Sequence, residues 1–479
     1  MGGSIMKKLI CFLLSANMLL GLCACGGGGG ATTNEDPKPA MQVGFGKSNM
    51  MPESTVTIAG GEDPNRLHTG YLDYLTASCI AFSDGTNTVL LYTIDMQCLT
   101  TTFLGGVKEK ISKETGVPVE NIMLSCTHDH SSPSHVMDHT GISAFQAGPF
   151  TTALLDSGKD AIKDLAATDV YIGESKTEGM VFVRHYNMED GSVAGPAYGN
   201  LVNDEILGQA YDSDETIQIV KFDRSAASKK DIVLFNLGAH ATYYSSTATK
   251  NLSADFPGPA RDYVANNADC HAAYFMSASG DQTPNTRYAP LKHGMGHKEY
   301  GEKLGQYVVE ALGSLTKVNT GDVKLTEVKY AAESNKLDVS RIGDANRLWA
   351  LFQEKGYDVA NTQARDEGFK SIYECRSIIM SGSYPKTKYV NINVLSAGDV
   401  SFVIFSGEMF SSTGRYIREN SPYDMSFILT CANGYNGYFP DERGYGYGCY
   451  EAYSSYVNKG TAEKIGEEYI KMLNEHKGQ

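Results

Sequence analysis

The chain has 479 residues, of which 42% are hydrophobic and 20% are charged, and its formal net charge is −15. This composition fits a globular protein with a substantial core, and the length allows one large domain or two to three ordinary ones. The acidic balance, with no basic stripe and no Arg-rich helix, argues against a nucleic-acid-binding protein. It does not argue against neutral or amphipathic substrates.

The first 40 residues are predicted to lie outside the fold. Lys7 and Lys8 precede an apolar stretch, residues 9–22, that is too short to span a membrane comfortably. It ends at Cys25 in a sequence that resembles a bacterial lipoprotein signal, with an ordinary secretory leader as the alternative. We therefore expect a protein of the bacterial cell envelope, tethered to a membrane surface through lipidated Cys25, or secreted if that signal is not used. The expected parts are a signal peptide over residues 1–25, a Gly-rich tether over 26–40 and a folded domain over 41–479.

Predicted strands and helices alternate along the rest of the chain. Apolar runs rich in β-branched residues predict strands at Thr88–Ile94, Ile122–Thr127, Ile232–Phe235, Ala273–Met276, Val400–Phe405 and Phe427–Cys431. Helical periodicity predicts helices at Leu99–Thr115, Phe150–Ala166, Lys298–Leu315, Ser411–Asn420 and Thr461–Glu475. This alternation predicts an α/β fold of layered sheets covered by helices, in a single large domain.

Polar side chains follow several of the predicted strands. His128 and His130 come at the end of one strand, and residues i and i+2 of an extended segment point to the same side. Two imidazoles aimed at one point are half of a zinc site, although two solvated loop histidines would give the same pattern. Three further polar residues occupy such positions: His240, Glu408 and Tyr438. Because ligands of open α/β sheets bind at the carboxyl ends of strands, we expect these residues to gather there.

Seven short segments between residues 41 and 475 resemble the motifs of one known family in their number and order. They are Val43-Gly44-Phe45-Gly46-Lys47, Thr127-His128-Asp129-His130-Ser131, Val183-Arg184-His185-Tyr186, Ser279-Gly280-Asp281-Gln282-Thr283-Pro284-Asn285, Ser406-Gly407-Glu408, Asn433-Gly434-Tyr435-Asn436-Gly437-Tyr438 and Tyr450-Glu451-Ala452. On these segments the chain resembles the neutral ceramidase family of zinc-dependent amidases. The resemblance implies a catalytic domain over residues 41–479.

The resemblance also implies roles for individual residues. It implies a Zn²⁺ ion held by His128, His240, Glu408 and Tyr438. It implies catalytic or substrate-contacting roles for His130, Tyr450, Arg184 and Thr283. Of these, His130 would be a proton shuttle or oxyanion donor, and Tyr450 and Arg184 would hydrogen-bond the substrate amide. Each residue also has an ordinary structural explanation: a hydrogen-bonded core histidine, a charge at a helix N-terminus, a packed tyrosine or a surface ion-pair partner.

The chain departs from the family pattern in three places. Thr283 stands where ceramidases carry serine, so we favour attack by metal-activated water, with the threonine hydroxyl in support. The family's Gly-Pro-Gly-Gly after the histidine signature is replaced by a serine-rich sequence ending at His135. The sequence also ends where family members continue into an immunoglobulin-like domain. The first two changes leave the substrate preference open.

Other histidines offer a rival metal site. They are His135, His139, His293 and His297. His293 and His297 have the i, i+4 spacing of one helix face, but intervening glycines weaken a helix there and no HExxH motif is present. The seven cysteines after Cys25 form no CxxC pair, so neither a disulfide framework nor a thiolate zinc site is predicted.

These observations predict a zinc-dependent amidase that hydrolyses the N-acyl bond of ceramide or a related lipid amide. Two alternatives remain. One is a zinc hydrolase of a non-sphingolipid amide or ester, and the other is a lipoprotein that binds a ligand without catalysis. The sequence does not indicate the oligomeric state.

Overall fold

The computed structural model describes residues 40–60, 63–195, 205–244, 250–284 and 294–478. The predicted signal peptide and tether, including Cys25, lie outside these ranges, as do Asn285 and His293. Among the described residues, no helix combines the length and the apolar character that crossing a bilayer would require.

Three sheets of four or five strands form the framework of one domain. In spatial order, the first sheet contains Ile122–Cys126, Thr88–Ile94, Thr76–Ser83, Gln42–Asn49 and Ala166–Ala167. The second contains His271–Met276, Ile232–Leu237, Thr216–Asp223, Asp169–Lys176 and Thr316–Val318. The third contains Val323–Glu333, Thr387–Ala397, Val400–Phe405 and Met425–Leu429. Short strands lie at Gly70–Tyr71, Val181–Val183, Tyr186–Met188, Val193–Ala194, Ile206–Gln209, Asn251–Leu252, Gln282–Pro284, Glu408–Met409 and Tyr438–Phe439.

The three sheets bury apolar side chains against one another. Phe82 of the first sheet has its ring centroid 5.6 Å from that of Phe222 in the second and 5.3 Å from that of Phe402 in the third. All three side chains are fully buried in one apolar cluster. Burial of this kind stabilises the fold by about 2–3 kcal/mol for each large side chain, so this core fixes the sheets relative to one another.

Helices cover the outer faces of the sheets. They span Thr101–Leu104, Val107–Thr115, Ile142–Phe145, Thr151–Lys163, Pro257–Asn267, His297–Ala311, Ile342–Lys355, Tyr357–Asp366, Ile372–Gly382, Ser411–Asn420, Glu442–Tyr447, Tyr450–Ser454 and Thr461–Lys477. Thr151–Lys163 packs closely on the first sheet because Gly46 has no side chain. A Cβ there would lie 2.0 Å from the carbonyl oxygen of Ser157. The predicted α/β fold of layered sheets covered by helices is thus confirmed.

Some predicted element bounds were wrong. The helix expected over Leu99–Thr115 is two helices, because Gly105 and Gly106 separate them and Gly106 adopts a left-handed conformation with φ 72°. The helices between residues 342 and 382 were not predicted, nor were the two strands that flank them in the sequence. These helices bury their own apolar cluster.

Each of the three sheets contains one pair of parallel strands, and predicted site residues follow these pairs. His128 follows a strand of the first pair, His240 one of the second and Glu408 one of the third. Backbone hydrogen bonds connect the strand ends: Cys431 N donates to Gly407 O, and Thr430 N donates to Met276 O. The carboxyl ends of the three pairs therefore meet at one place.

Candidate functional site

Two buried imidazoles converge on one oxygen of a buried carboxylate, and each of these three side chains follows a strand of a different sheet. Glu408 Oε2 lies 2.8 Å from His240 Nε2 and 3.2 Å from His128 Nε2. Each of these residues is 1% exposed. His128 and His240 are 112 residues apart along the chain, and His240 and Glu408 are 168 residues apart. Only the tertiary structure brings them together.

Backbone carbonyl groups fix the tautomers of both imidazoles. His128 Nδ1 lies 2.8 Å from Gln97 O, and His240 Nδ1 lies 2.7 Å from Ser279 O. Because a carbonyl oxygen only accepts a hydrogen bond, Nδ1 carries the proton in each ring. In the neutral rings the Nε2 atoms are therefore lone-pair acceptors that face the carboxylate.

This arrangement requires positive charge between the imidazole nitrogens and Glu408. Burial opposes ionisation of Glu408, but His128 and His240 keep its pKa well below its usual range. Burial also opposes protonation of His128, yet Cys431 and Glu408 raise its pKa well above the usual value. Burial and the Arg184 guanidinium lower the pKa of His240 to about 4. A proton or a divalent cation can supply the missing charge, and two imidazoles with one carboxylate are a common zinc ligand set.

His130 lies beside these three residues. Its Nε2 is 3.3 Å from His128 Nε2 and 3.4 Å from the side-chain nitrogen of Gln97. Burial, with the charges of His128 and His240, holds the pKa of His130 well below its usual range, so the ring is neutral. The ligand atoms of the three histidines all lie within 4.8 Å of one another.

The two histidines of the His128–His130 pair converge for a different reason than predicted. The prediction assumed an extended segment, but the strand ends at Cys126 and His128 has a positive φ of 57°. This left-handed conformation is uncommon for a residue other than glycine and marks a locally constrained backbone. The kink, rather than strand alternation, brings the two rings to a centroid distance of 4.9 Å.

Tyr438 forms part of the site wall. The short strand Tyr438–Phe439 pairs in parallel with Glu408–Met409, which puts Tyr438 beside Glu408. Its ring lies nearly parallel to the His240 imidazole, with 6.4 Å between centroids. Burial raises the pKa of Tyr438 well above its usual value, against an opposing effect of Arg184, so ionisation of this phenol requires a cation beside it.

Arg184 packs against Tyr438 and is held from behind. Its guanidinium carbon is 5.3 Å from the centroid of the Tyr438 ring. Its Nη2 donates to Gly280 O at 2.9 Å, and its Nε lies 2.8 Å from Glu451 Oε1. Arg184 is therefore a largely enclosed, paired residue of the site wall, 14% exposed, and not a surface ion-pair partner.

A cavity of about 370 Å³ opens onto these residues. Its wall includes His130, Arg184, Glu408 and the tyrosines Tyr373, Tyr435, Tyr438, Tyr450 and Tyr456. Tyr450 stands next to Tyr438, with 5.5 Å between ring centroids. The cavity therefore presents aromatic surface and hydrogen-bonding hydroxyl groups beside a cluster of side chains that could hold a metal ion.

Thr283 lies close to His240 in the fold. Its hydroxyl oxygen is 3.3 Å from that of Thr242, two residues after His240. Among the described residues, it is not one of those that line the cavity.

The rival histidines do not join a metal-binding cluster within the described ranges. His135 lines the cavity wall, where burial and Arg376 lower its pKa to about 4. His139 Nδ1 lies 3.0 Å from the Ser134 hydroxyl, and His297 begins a helix with its Nε2 3.5 Å from Asp73 Oδ2. His293 lies outside the described residues.

A second buried group, His185, Cys449 and Glu451, has ligand atoms within 4.8 Å of one another. This group already includes a cation in its surroundings, because the Arg184 guanidinium pairs with Glu451. The Glu451 carboxylate is therefore charge-compensated without a metal ion. The described cysteines are free thiols.

Several residues of the site were not assigned by the sequence. Tyr435 donates its hydroxyl to Glu408 Oε1, and Cys431 Sγ lies 3.3 Å from His128 Nδ1. Gln97 contacts both His128 and His130. The sequence offered one signal for Gln97. It follows the end of strand Thr88–Ile94, just as His128 follows the end of the neighbouring strand Ile122–Cys126.

Two solved structures share this fold. One is neutral ceramidase from Pseudomonas aeruginosa, with a TM-score of 0.68 and 17% sequence identity, over 91% of this chain and 74% of that chain. The other is a ceramidase complexed with C2, with a TM-score of 0.67 and 15% identity, over 91% of this chain and 75% of that chain. No protein-family model and no curated protein matched the sequence in the other two comparisons. The chain therefore has the fold of the neutral ceramidases, as the order of its motifs implied.

Proposed function

We propose that this protein is a zinc-dependent amidase that hydrolyses the N-acyl bond of ceramide or a related lipid amide. The observation that supports it most is the convergence of His128 Nε2 and His240 Nε2 on Glu408 Oε2, because Glu408 also lines a tyrosine-rich cavity. The shared fold with two ceramidases adds support for the reaction class. A ligand-binding lipoprotein without catalysis would leave this buried set of acceptors without a purpose.

In this proposal His128, His240, Glu408 and Tyr438 hold the metal ion. When bound there, a zinc ion would act as a Lewis acid and would lower the pKa of a water molecule to about 7. The neutral His130 accepts a proton from the attacking water and passes it to the leaving amine. Arg184 and Tyr450 donate hydrogen bonds to the amide carbonyl oxygen as negative charge develops on it, a contribution of about 3–4 kcal/mol for each well-placed donor.

The lipid attachment is proposed from the sequence alone. Residues 1–25 would be a lipoprotein signal, residues 26–40 a tether and residues 41–479 the catalytic domain. Lipidated Cys25 would keep the enzyme at the membrane surface where lipid amides lie. Radiolabelled palmitate incorporation into the wild-type protein, but not into Cys25→Ala, would test this; equal labelling of both would contradict it.

A second candidate is a zinc hydrolase of a smaller amide or ester. The cavity volume of about 370 Å³ favours it, because this volume is near the lower end of the range for ligand pockets. A long-chain ceramide would have to leave part of its chains outside. Kinetics on N-acylsphingosines of increasing chain length, beside simple acyl amides and esters, separate the two. Turnover of simple amides without any N-acylsphingosine would overturn the lipid assignment.

We expect removal of the metal to inactivate the enzyme reversibly. Dialysis against a chelator should abolish hydrolysis, and one equivalent of zinc should restore it. Because a ligand that binds only the folded state stabilises it, zinc at 100 times its dissociation constant should add about 2.7 kcal/mol to the free energy of unfolding. Elemental analysis and thermal unfolding measure both effects. Full activity in metal-free protein would contradict the proposal.

We expect Thr283→Val to lower kcat by less than about tenfold, because water is the proposed nucleophile and the Thr283 hydroxyl, which contacts that of Thr242, would only support it. A nucleophilic threonine predicts instead a loss of about 10⁴-fold or more. Thr283→Ser, which keeps the hydroxyl, serves as the matched control. Steady-state kinetics with zinc content measured in each variant decide between these outcomes.

A further inference from the structure

Glu451 is a buried carboxylate behind the cavity wall and does not line the cavity itself. It is 2% exposed, and its two oxygens contact different partners. Oε1 lies 2.8 Å from Arg184 Nε, and Oε2 lies 3.0 Å from His185 Nε2. Burial opposes its ionisation, but Arg184 and His185 lower the pKa of Glu451 to about 2, so it carries a negative charge at neutral pH.

A hydrogen-bonded chain holds His185 from the far side. His185 Nδ1 is 3.1 Å from the Tyr211 hydroxyl, which donates to Asp281 Oδ2 at 3.0 Å. Asp281 also accepts from the backbone N–H and the hydroxyl of Ser411, both at 2.7 Å. Such a network resists displacement, because moving one group leaves others without partners. This chain therefore fixes the Glu451 carboxylate in one orientation.

On the cavity side, Glu451 holds Arg184. Arginine has several rotatable bonds, and its guanidinium would lose its orientation without acceptors on its protein side. The Gly280 carbonyl accepts a hydrogen bond from Arg184 Nη2, and the Glu451 carboxylate supplies the opposite charge 2.8 Å from Nε. They keep the guanidinium against the Tyr438 ring, in the wall of the cavity that contains the candidate metal ligands.

We propose that Glu451 is a positioning residue for amide hydrolysis, which acts by holding the Arg184 guanidinium where it meets the carbonyl oxygen of the substrate. This inference rests on the proposed function, because the contact between Arg184 and the substrate is part of that proposal. It assigns Glu451 a role through Arg184 alone, with no direct contact to substrate or metal.

A double-mutant cycle tests this role. The four proteins are the wild type, Glu451→Gln, Arg184→Met and the double variant. For each protein, kcat/KM is calculated per mole of zinc-loaded sites. Misplacing a positioned group costs about 100-fold, so each single variant should lose about that much. The double variant should be within about threefold of Arg184→Met, because residues that act as a unit are not additive. Glu442→Gln, an exposed carboxylate on the preceding helix, is the matched control and should stay within about twofold of wild type.

The readouts separate positioning from general stability. A purely structural defect would lower the fraction of loaded sites and leave kcat/KM for each loaded site unchanged. Independent losses that multiply to about 10⁴-fold would overturn the positioning role. A different zinc content would also overturn it. If the wild type bound two equivalents of zinc and Glu451→Gln alone bound one, Glu451 would belong to a second metal site.

A second measurement needs no substrate. In urea unfolding, each single variant should have a lower midpoint than the wild type, and the double variant should be no less stable than the weaker single one. The reason is that removing both charges leaves no unpaired buried ion. A wild-type enzyme inactive on every amide would overturn the proposed function and this role with it. An active enzyme whose losses multiply would overturn this role alone.

Discussion

Glu408→Gln is expected to lower zinc content to near zero and kcat/KM by at least about 1000-fold, equivalent to about 4 kcal/mol. The amide oxygen of glutamine is uncharged, so it compensates neither the metal ion nor the two imidazoles that face it. The variant should remain folded, because its side-chain N–H can donate to His240 Nε2, which lies 2.8 Å from Glu408 Oε2. Zinc analysis, circular dichroism and kinetics measure these three outcomes.

Glu419→Gln is the matched control, because Glu419 is an exposed carboxylate on the helix that follows Glu408. It should retain wild-type zinc content and activity. A Glu408→Gln protein with one equivalent of zinc and wild-type turnover would remove Glu408 from the metal site and with it the main support for the proposed function.

Asp95→Ala is expected to destabilise the fold by about 3–5 kcal/mol. Asp95 is fully buried and binds both terminal nitrogens of Arg261 at 2.6 Å, and it also accepts from Thr76 N at 2.7 Å. This pair joins the first sheet to the helix Pro257–Asn267. Removing the carboxylate leaves a buried guanidinium without its charge partner, and chemical denaturation measures the cost.

Replacing both partners should cost much less than replacing one. The double variant Asp95→Leu with Arg261→Met leaves no buried charge, so it should recover most of the lost stability. The surface pair of Asp169 and Lys317, with N and O 2.6 Å apart and both side chains more than half exposed, provides a control. Asp169→Ala should leave the unfolding midpoint unchanged. A change below about 1 kcal/mol for Asp95→Ala would show that the buried pair does not stabilise the fold.

The sequence predicted the fold class because strand and helix periodicities are local. The strands Thr88–Ile94 and Val400–Phe405 have the predicted bounds. It predicted less where local signals were weak or conflicting. Gly105 and Gly106 interrupt an otherwise helical pattern. The helices between residues 342 and 382 bury their apolar faces in a cluster of their own, and no sequence motif marks them.

For the candidate site, the sequence named residues that the structure brings together, because each follows a strand end or lies in a short motif. His128, His240 and Glu408 meet, and Tyr438 and Arg184 form the adjoining wall. The sequence did not reveal the partners of these residues. Tyr435, Gln97 and Glu451 act through contacts between segments that are far apart along the chain.

The sequence by itself determined which chemistry the chain carries: imidazoles, a carboxylate and a phenol at the ends of predicted strands. It determined this because residue type and strand pattern are properties of short segments. Only the tertiary structure decided that the two imidazoles face one oxygen atom of Glu408, that backbone carbonyls fix both tautomers, and that Glu451 pairs with Arg184. Those facts depend on distances between three separate sheets, which their common core sets and no local pattern encodes.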